Sequence, residues 1–356
     1  MNQHILDNSD YQQLIHEFAD SRLDWDQLKN SQIFITGASG MIGSFIVDML
    51  MDRNIRYKSD IHIIASARNQ SRAEERFRPY LKHPSFEFLK YDVSEPLLLN
   101  RSFDFIIHAA SNTHPVSYAE DAIGTIITNL VGTKNLLDFA IRHPIKRFCF
   151  ISTVEIYGEN TGSLDKFTEK DLGYIDCNTL RAGYPESKRC SEALCNAYNQ
   201  SFGIDFVIPR LCRVYGPTLL SSDSKALSQF LKNAVNKEDI VLKSEGKQHF
   251  SYLHVADAAS GILTVLLRGE SKKAYNIADE ESDITLRDLA QELAKIAGTQ
   301  VVFQLPDDKE KKGFSTATKA LLDASELKKL GWEAKFDIRR GLANTIRILG
   351  KDCENI

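Results

Sequence analysis

The stretch R-A-G-Y-P-E-S-K-R, residues 181 to 189, sets a phenol and an ammonium four residues apart, at Tyr184 and Lys188. At the opening of a helix that spacing stacks the two side chains on one face. A free tyrosine ionises near pH ~10, but a fixed cation beside it favours the phenolate, so the pair can take a proton from an alcohol near neutral pH. A solvated helix face shows the same spacing, so the pair gains meaning only from the residues that precede it.

Upstream, I-F-I-T-G-A-S-G-M-I-G-S-F-I-V-D-M-L joins a β-type run, Ile33 to Thr36, directly to an apolar-periodic helix. Gly37, Gly40 and Gly43 mark the junction, with Ser39, Met41 and Ile42 between them. Glycine there lets backbone approach a pyrophosphate at a helix N-terminus, where free N–H groups and the helix dipole favour anions. The second strand, I-H-I-I-A-S-A-R-N, ends on Ser66 and Arg68 with no acid. Sites that select NAD usually place a carboxylate at this strand end for the ribose 2′-hydroxyl, whereas an arginine accommodates a 2′-phosphate. NAD and NADP therefore both stay open here, and a solvated loop residue is the other reading of Arg68. F-E-F-L-K-Y-D-V-S-E-P-L then brings Asp92 and Val93 to the end of a third strand, suited to an adenine edge or, for Asp92, to capping a turn.

The scaffold carrying these groups is legible in the hydrophobic pattern. D-F-I-I-H-A-A-S reads as a buried strand running into Ala109, Ala110 and Ser111, small enough for backbone to pass close to a cofactor, with His108 a packed core histidine. A helix bearing Thr125, Asn129, Gly132 and Thr133 comes next, then R-F-C-F-I-S-T, with Thr153, Glu155 and Tyr157 at its end. The alternation from residue 31 to 153 predicts an α/β fold with a doubly wound parallel sheet and chemistry outside the strands' carboxyl ends. Residues 10 to 29 read as one or two amphipathic helices serving as a lid or interface. From about residue 205 the sequence is more turn-rich. P-R-L-C-R-V-Y-G-P is a strand leading to a turn, with Arg210 to Pro217 lining the cleft. A-Y-N-I-A-D is a strand, a helix runs from a Thr285 cap to Gly298, V-V-F-Q-L is a short strand, and D-D-K-E-K-K-G is a solvated loop. The expected division is an N-terminal extension (1–30), a dinucleotide domain (31–204) and a mainly substrate-binding region (205–356) whose elements partly return to the first domain.

Composition narrows the class. A chain of 356 residues with 43% hydrophobic content buries a large core, and a net charge of −4 with interspersed signs leaves no footprint for nucleic acid or membrane. The first residues show no basic segment followed by an apolar run, and no 18-residue apolar stretch occurs, so a cytoplasmic protein is expected. Cys149, Cys177, Cys190, Cys195, Cys212 and Cys353 lack metal-ligand spacing and read as reduced thiols used as small core residues, with no metal site.

In order, T-G-A-S-G-M-I-G, H-A-A-S, T-N-L-V-G-T-K-N-L-L, I-S-T-V-E-I-Y-G-E, Y-P-E-S-K-R, P-R-L-C-R-V-Y-G-P, G-K-Q-H-F-S-Y-L-H-V-A-D, A-Y-N-I-A-D and L-K-K-L-G-W resemble the extended short-chain dehydrogenase/reductase family of nucleotide-sugar enzymes, over residues 31 to 350. Y-D-V-S-E-P-L and S-T-V-E-I-Y-G-E look closest to its UDP-glucuronate decarboxylase branch, with the 4,6-dehydratases as near neighbours. The resemblance implies a Rossmann domain with tightly held NAD, a smaller mixed α/β substrate region, a homodimer built on a four-helix interface, and oxidation at sugar C4. Tyr184 would take the C4 hydroxyl proton, Lys188 would hold the nicotinamide ribose and lower the tyrosine pKa, and Thr153 would hydrogen-bond the same hydroxyl. The ketone so formed opens three exits: decarboxylation, elimination of water, or reduction from the other face.

Dehydratases of this family typically read T-D-E; here Val154, which cannot transfer a proton, stands in the middle and Glu155 remains, as in the T-S-E of the decarboxylases. A salt-bridged surface residue is the other reading of Glu155. Substrate contacts are expected from Thr113, Arg210, Arg213, Tyr215 and Phe250. The branch often has asparagine where this chain has Arg213, arginine where it has Thr218, and at Phe250 an arginine that grips the nucleotide diphosphate or ribose. Phenylalanine makes no bidentate contact with phosphate, so either Arg213 supplies the displaced charge or the substrate is not UDP-glucuronate. A 4-epimerase or 4,6-dehydratase on another nucleotide sugar is the alternative. A non-catalytic dinucleotide-binding sensor or scaffold is the alternative of another class, disfavoured by the intact Thr153, Tyr184 and Lys188.

Overall fold

In the computed structural model, which describes residues 4–113, 120–160, 162, 164–304 and 317–350, the strand–helix alternation builds one long parallel sheet. Its strands begin as β1 (Gln32–Thr36), β2 (His62–Ala67), β3 (Phe86–Lys90), β4 (Phe105–His108), β5 (Arg147–Phe150), the short β6 (Ser152–Thr153) and β7 (Phe206–Leu211). Three strands then lie outside it, β8 (Arg213–Tyr215), β9 (Ile240–Leu242) and β10 (His249–His254), before β11 (Lys273–Ile277) returns to its edge. The order is β3-β2-β1-β4-β5-β7-β11, every neighbouring pair parallel, with β6 added beside β7. Chain order reverses between β1 and β4, so the flanking connections diverge and a crevice opens at their carboxyl ends. Register explains the burial: Ile35, Ala65 and Ile107 share one face and Phe34, Ile64 and Ile106 the other, each face packed into its own apolar cluster. Apolar side chains on both faces are what a parallel sheet covered on both sides requires.

The helices that cover it are α1 (Ser9–Ala19), α2 (Met41–Tyr57), α3 (Gln70–Arg76), α4 (Ala122–Arg142), α5 (Gly183–Phe202), α6 (Ala226–Val235), α7 (Val255–Arg268), α8 (Leu286–Ala297), α9 (Ser325–Lys329) and α10 (Ile338–Leu349). Among the described residues no helix is long and apolar enough to cross a membrane. Helix α8 runs between the expected signals, with Thr285 Oγ1 accepting from the Asp288 N–H and Gly298 taking a left-handed φ of 72°. The remaining strands, β12 (Asp283–Thr285), β13 (Val301–Phe303) and β14 (Lys319–Ala320), form small sheets: β10 lies between β12 and β14 and also pairs with β8, and β13 pairs with β9.

Two expectations change. The N-terminal segment is neither lid nor free interface. Tyr11, Leu14, Ile15 and Phe18 of α1 are buried against α2, α7 and α10, the Tyr11 hydroxyl donates to Asp48 Oδ2 at 2.5 Å, and Arg76 closes an ion pair on the same fully buried carboxylate. An amphipathic helix with that many large apolar groups is stabilised most by joining the core. The cysteines also divide: Cys149, Cys195 and Cys212 are buried, whereas Cys177 and Cys190 are exposed free thiols, since polar loop and helix faces around them turn outward; Cys353 lies outside the described residues. The D-D-K-E-K-K-G run also lies outside them.

Candidate active site

The glycine turn joins β1 to α2 at the crevice. Gly37 has φ +64°, and a Cβ there would meet the backbone of Ala110 at 2.7 Å; one at Gly43 would meet the Gly37 carbonyl at 2.7 Å. Only glycine fits both contacts without moving backbone. Gly40 caps α2 without any side-chain hydrogen bond, so the first N–H groups of the helix keep free donors for an anion. Ser39, Met41 and Ile42 are half-exposed around the turn, and the buried Ser66 hydroxyl at the end of β2 has no partner among the described residues. This cradle fits a dinucleotide pyrophosphate and ribose. Its far wall is Ala109, Ala110 and Ser111, tied to β1 by Ala109 N–H to the Thr36 carbonyl at 3.2 Å and Ala110 N–H to Thr36 Oγ1 at 3.3 Å.

Tyr184 and Lys188 lie on the first turns of α5, both buried. Lys188 Nζ donates to the Ile151 carbonyl at 2.8 Å and sits 4.6 Å from the centre of the Phe150 ring. Ile151 N–H in turn bonds the His108 carbonyl, and His108 Nδ1 contacts Thr36 Oγ1 at 2.8 Å. One chain of contacts thus runs from the residue before the glycine turn to the lysine four residues after the phenol. Burial, and then the charge of Lys188, hold the His108 ring well below its ordinary range, at about 3, so it is neutral. Burial likewise pulls Lys188 down to about 7.

Asn129 is fully buried and acts as a strut: it accepts from Ser111 Oγ at 2.7 Å and donates to Ser187 Oγ at 2.9 Å. It therefore ties the wall at Ser111 to α5. Ser187, between the phenol and the ammonium, escapes the sequence motifs; its one signal is a small hydroxyl within the Y-P-E-S-K run.

Thr153 ends β6, and its Oγ1 accepts from the Glu155 N–H at 3.3 Å. Val154 between them is buried. Glu155 is flanked by Arg213 Nη2 at 3.4 Å and Arg181 Nη2 at 3.9 Å, and the Arg213 guanidinium carbon lies 3.4 Å from the centre of the Phe250 ring.

Other expected residues lie differently. Arg210 is buried among Glu192, the Tyr157 hydroxyl and the Glu169 carbonyl, with Nη2 2.7 Å from Glu192 Oε2; a buried guanidinium needs a carboxylate, and this one is used up inside the fold. Tyr215 is also core, packed edge-on to His254 and against Gly341, its hydroxyl toward the Ile338 carbonyl. Asp92 Oδ1 accepts from both the N–H and hydroxyl of Ser94, the turn-capping alternative, while Val93 is buried where Gly132 leaves it room. Arg68 is exposed at the crevice rim, donating to Asn112 Oδ1 at 3.3 Å, and Thr113 is exposed beside it. Thr218 donates to the Met41 carbonyl at 2.8 Å and so binds the segment after β8 to the first turn of α2.

A family model described as the NAD dependent epimerase/dehydratase family matches residues 33–278. UDP-glucuronic acid decarboxylase 5 of Arabidopsis thaliana is 30% identical over 318 residues, 88% of this chain and 87% of its own. Among solved structures, DesIV, a dTDP-glucose 4,6-dehydratase from Streptomyces venezuelae with NAD and TYD bound, is 25% identical with a TM-score of 0.75, covering 89% of this chain and 96% of its own. UDP-glucuronic acid 4-epimerase from Bacillus cereus, in complex with UDP-glucuronic acid and NAD, is 21% identical with a TM-score of 0.73 over 89% of this chain and 98% of its own, a likeness of fold.

Proposed function

We propose that this chain, which belongs to the NAD dependent epimerase/dehydratase family, oxidises C4 of a nucleotide sugar with NAD and, with UDP-glucuronate, releases the C5 carboxylate as carbon dioxide. The observation that carries the reading is the array at the strand ends: Thr153, then buried Val154 in place of a second acid, then Glu155, opposite Tyr184 and Lys188 on one helix. The residues of the glycine turn, Ser66, Ala109 to Ser111 and Lys188 would hold the dinucleotide. When bound, NAD supplies the acceptor for the hydrogen leaving C4 with its electron pair.

The chain's own groups manage the proton and the geometry. Tyr184 Oη takes the proton of the C4 hydroxyl while Thr153 Oγ1 orients it, and Lys188 stabilises the phenolate electrostatically. A ketone at C4 makes the C5 carboxylate part of a β-keto acid; its carbon–carbon bond breaks with the electron pair moving toward the carbonyl, and C5 takes up a proton. No acid is required to expel a hydroxyl, and Val154 offers none. The decarboxylase relative at 30% identity supports this exit.

Thr113, Arg213 and Phe250 complete the proposed sugar side. The division into residues 1–30, 31–204 and 205–356, a cytoplasmic location, and a homodimer through α4 and α5 belong to the same reading. Exposed Ile123, Ile126 and Ile127 on one face of α4 support the dimer. Mass spectrometry after incubation with a panel of nucleotide sugars tests the reaction. Loss of carbon dioxide from UDP-glucuronate is expected; loss of water or an isomer of unchanged mass would assign dehydration or epimerisation instead.

A further inference from the structure

The N-terminal segment, residues 4 to 30, precedes the part of the chain that the family model matches, 33–278, yet its polar contacts converge on the two helices nearest the glycine turn. From α1 the Tyr11 hydroxyl donates to Asp48 Oδ2 of α2, and the half-buried Arg76, the last residue of α3, holds both oxygens of that carboxylate. Arg76 Nη2 also reaches the Tyr11 hydroxyl at 3.3 Å. Burial, and then the charge of Asp48, keep the Tyr11 phenol well above its ordinary range, so it stays a donor. Before α1, His4 Nδ1 accepts from the Leu6 N–H, which leaves Nε2 as the donor, 3.1 Å from the carbonyls of both Glu75 and Arg76. Those are the last two residues of α3, whose carbonyls lie beyond the reach of its own N–H groups. The end of α3 is thus fixed twice from the N-terminal segment.

The start of α3 lies at the crevice. Only Arg68 and Asn69 separate it from β2, which carries Ser66, and on its first turn Arg72 Nη2 reaches the Ser39 carbonyl inside the glycine turn at 3.5 Å. So short a helix moves as one rod, and a shift at Arg76 is felt at Arg72 and at the strand end. We propose that Tyr11 and His4 are positioning residues for the adenosine half of the dinucleotide: through Asp48 and Arg76 they set the spacing between α2, which opens at the pyrophosphate cradle, and α3, which borders the adenosine ribose. The assignment rests on the reading that the glycine turn seats NAD, and it makes cofactor affinity depend on residues outside the matched region. Without the Tyr11 hydroxyl the fully buried Asp48 has one donor fewer, so its grip on Arg76 loosens and binding must restore the spacing. Such coupling is reciprocal, so bound NAD tightens α1 in turn.

The test is calorimetric titration of cofactor-free protein with NAD and with ADP-ribose, which lacks the nicotinamide, at a temperature well below unfolding. Tyr11→Phe and His4→Leu are each expected to weaken both ligands, and equally, by about three- to tenfold. Leu14→Ala thins the core beneath α1 and keeps both polar contacts; it should lower the melting temperature yet leave both affinities within about twofold. Hydrogen exchange adds a measurement that needs no substitution: NAD should slow the amides of α1 and α3 more than those of α8. Unchanged affinities in both Tyr11→Phe and His4→Leu would overturn the assignment, as would equal weakening in Leu14→Ala or equal protection of the three helices. A loss seen with NAD and absent with ADP-ribose would move the effect to the nicotinamide half and overturn it too. Should Tyr11→Phe not fold, His4→Leu and the exchange pattern decide. A parent protein that binds neither ligand sinks the reading of the glycine turn and this one together, whereas a parent that binds both, with unaffected variants, sinks this one alone.

Discussion

Lys188 Nζ donates to the carbonyl oxygen of Ile151 at 2.8 Å, so the ammonium beside the phenol is seated by the strand that ends at Thr153. Burial lowers its pKa from the ordinary lysine value of 10.5 to about 7. Between about pH 7 and 10 the unfolded chain therefore binds more protons at this position than the folded one, and stability rises with pH across that window. Below about pH 7 both states carry the charge, and the full cost of enclosing it is felt. In cofactor-free protein, urea midpoints should climb from pH 7 to pH 9 by the equivalent of about 2 kcal/mol more than in a Lys188→Met variant. Parallel pH profiles for the two proteins would show that the lysine does not titrate there.

Tyr184→Phe removes the proposed proton acceptor and keeps the ring. Turnover should fall by roughly 10²- to 10⁴-fold while NAD remains bound, as read by the cofactor absorbance of the purified protein. Full activity in this variant would take the phenol out of the mechanism.

Arg210 and Glu192 form an enclosed ion pair, and Ser152 Oγ adds a 2.5 Å bond to the same carboxylate. Arg210→Met should cost about 3–5 kcal/mol by chemical denaturation, because it strands Glu192, and adding Glu192→Leu should recover much of the loss. A variant of unchanged stability with a raised KM would instead place Arg210 on the substrate.

No acid closes β2, and Arg68 stands just beyond its end, exposed and donating to Asn112 Oδ1. Exclusion of a 2′-phosphate should therefore be weak: NADP is expected to bind within roughly tenfold of NAD, and Arg68→Ala should weaken NADP more than NAD. Titrations of cofactor-free protein compare the two directly; a deficit of more than about a hundredfold for NADP would show another group doing the exclusion.

Local signals carried most of the fold into view. Gly37, Gly40 and Gly43 had their strand and helix on either side, and the Thr285 and Gly298 caps bounded α8 to the residue. The P-R-L-C-R-V-Y-G-P stretch was harder, because it reads as one strand but breaks at Cys212 into β7 and β8 on different sheets. That break sends Arg210 inward to Glu192 and Arg213 outward to Glu155, a difference that no one-dimensional pattern marks. The strut through Asn129 and Ser187 was equally hidden, since its members are 58 positions apart. For residues 10 to 29 the amphipathic pattern was plain, but the buried Asp48 and the half-buried Arg76 that meet Tyr11 come from two separate helices.

The bond from Thr218 to the Met41 carbonyl works as a latch between the segment after β8 and the first turn of α2. It grips the helix that the glycine turn opens, so on the proposed reading one support of the dinucleotide is anchored by a segment outside the parallel sheet. On the proposed reading, a coenzyme seated there would be regenerated in place, since the hydrogen taken from C4 can be returned to the same sugar without any external oxidant.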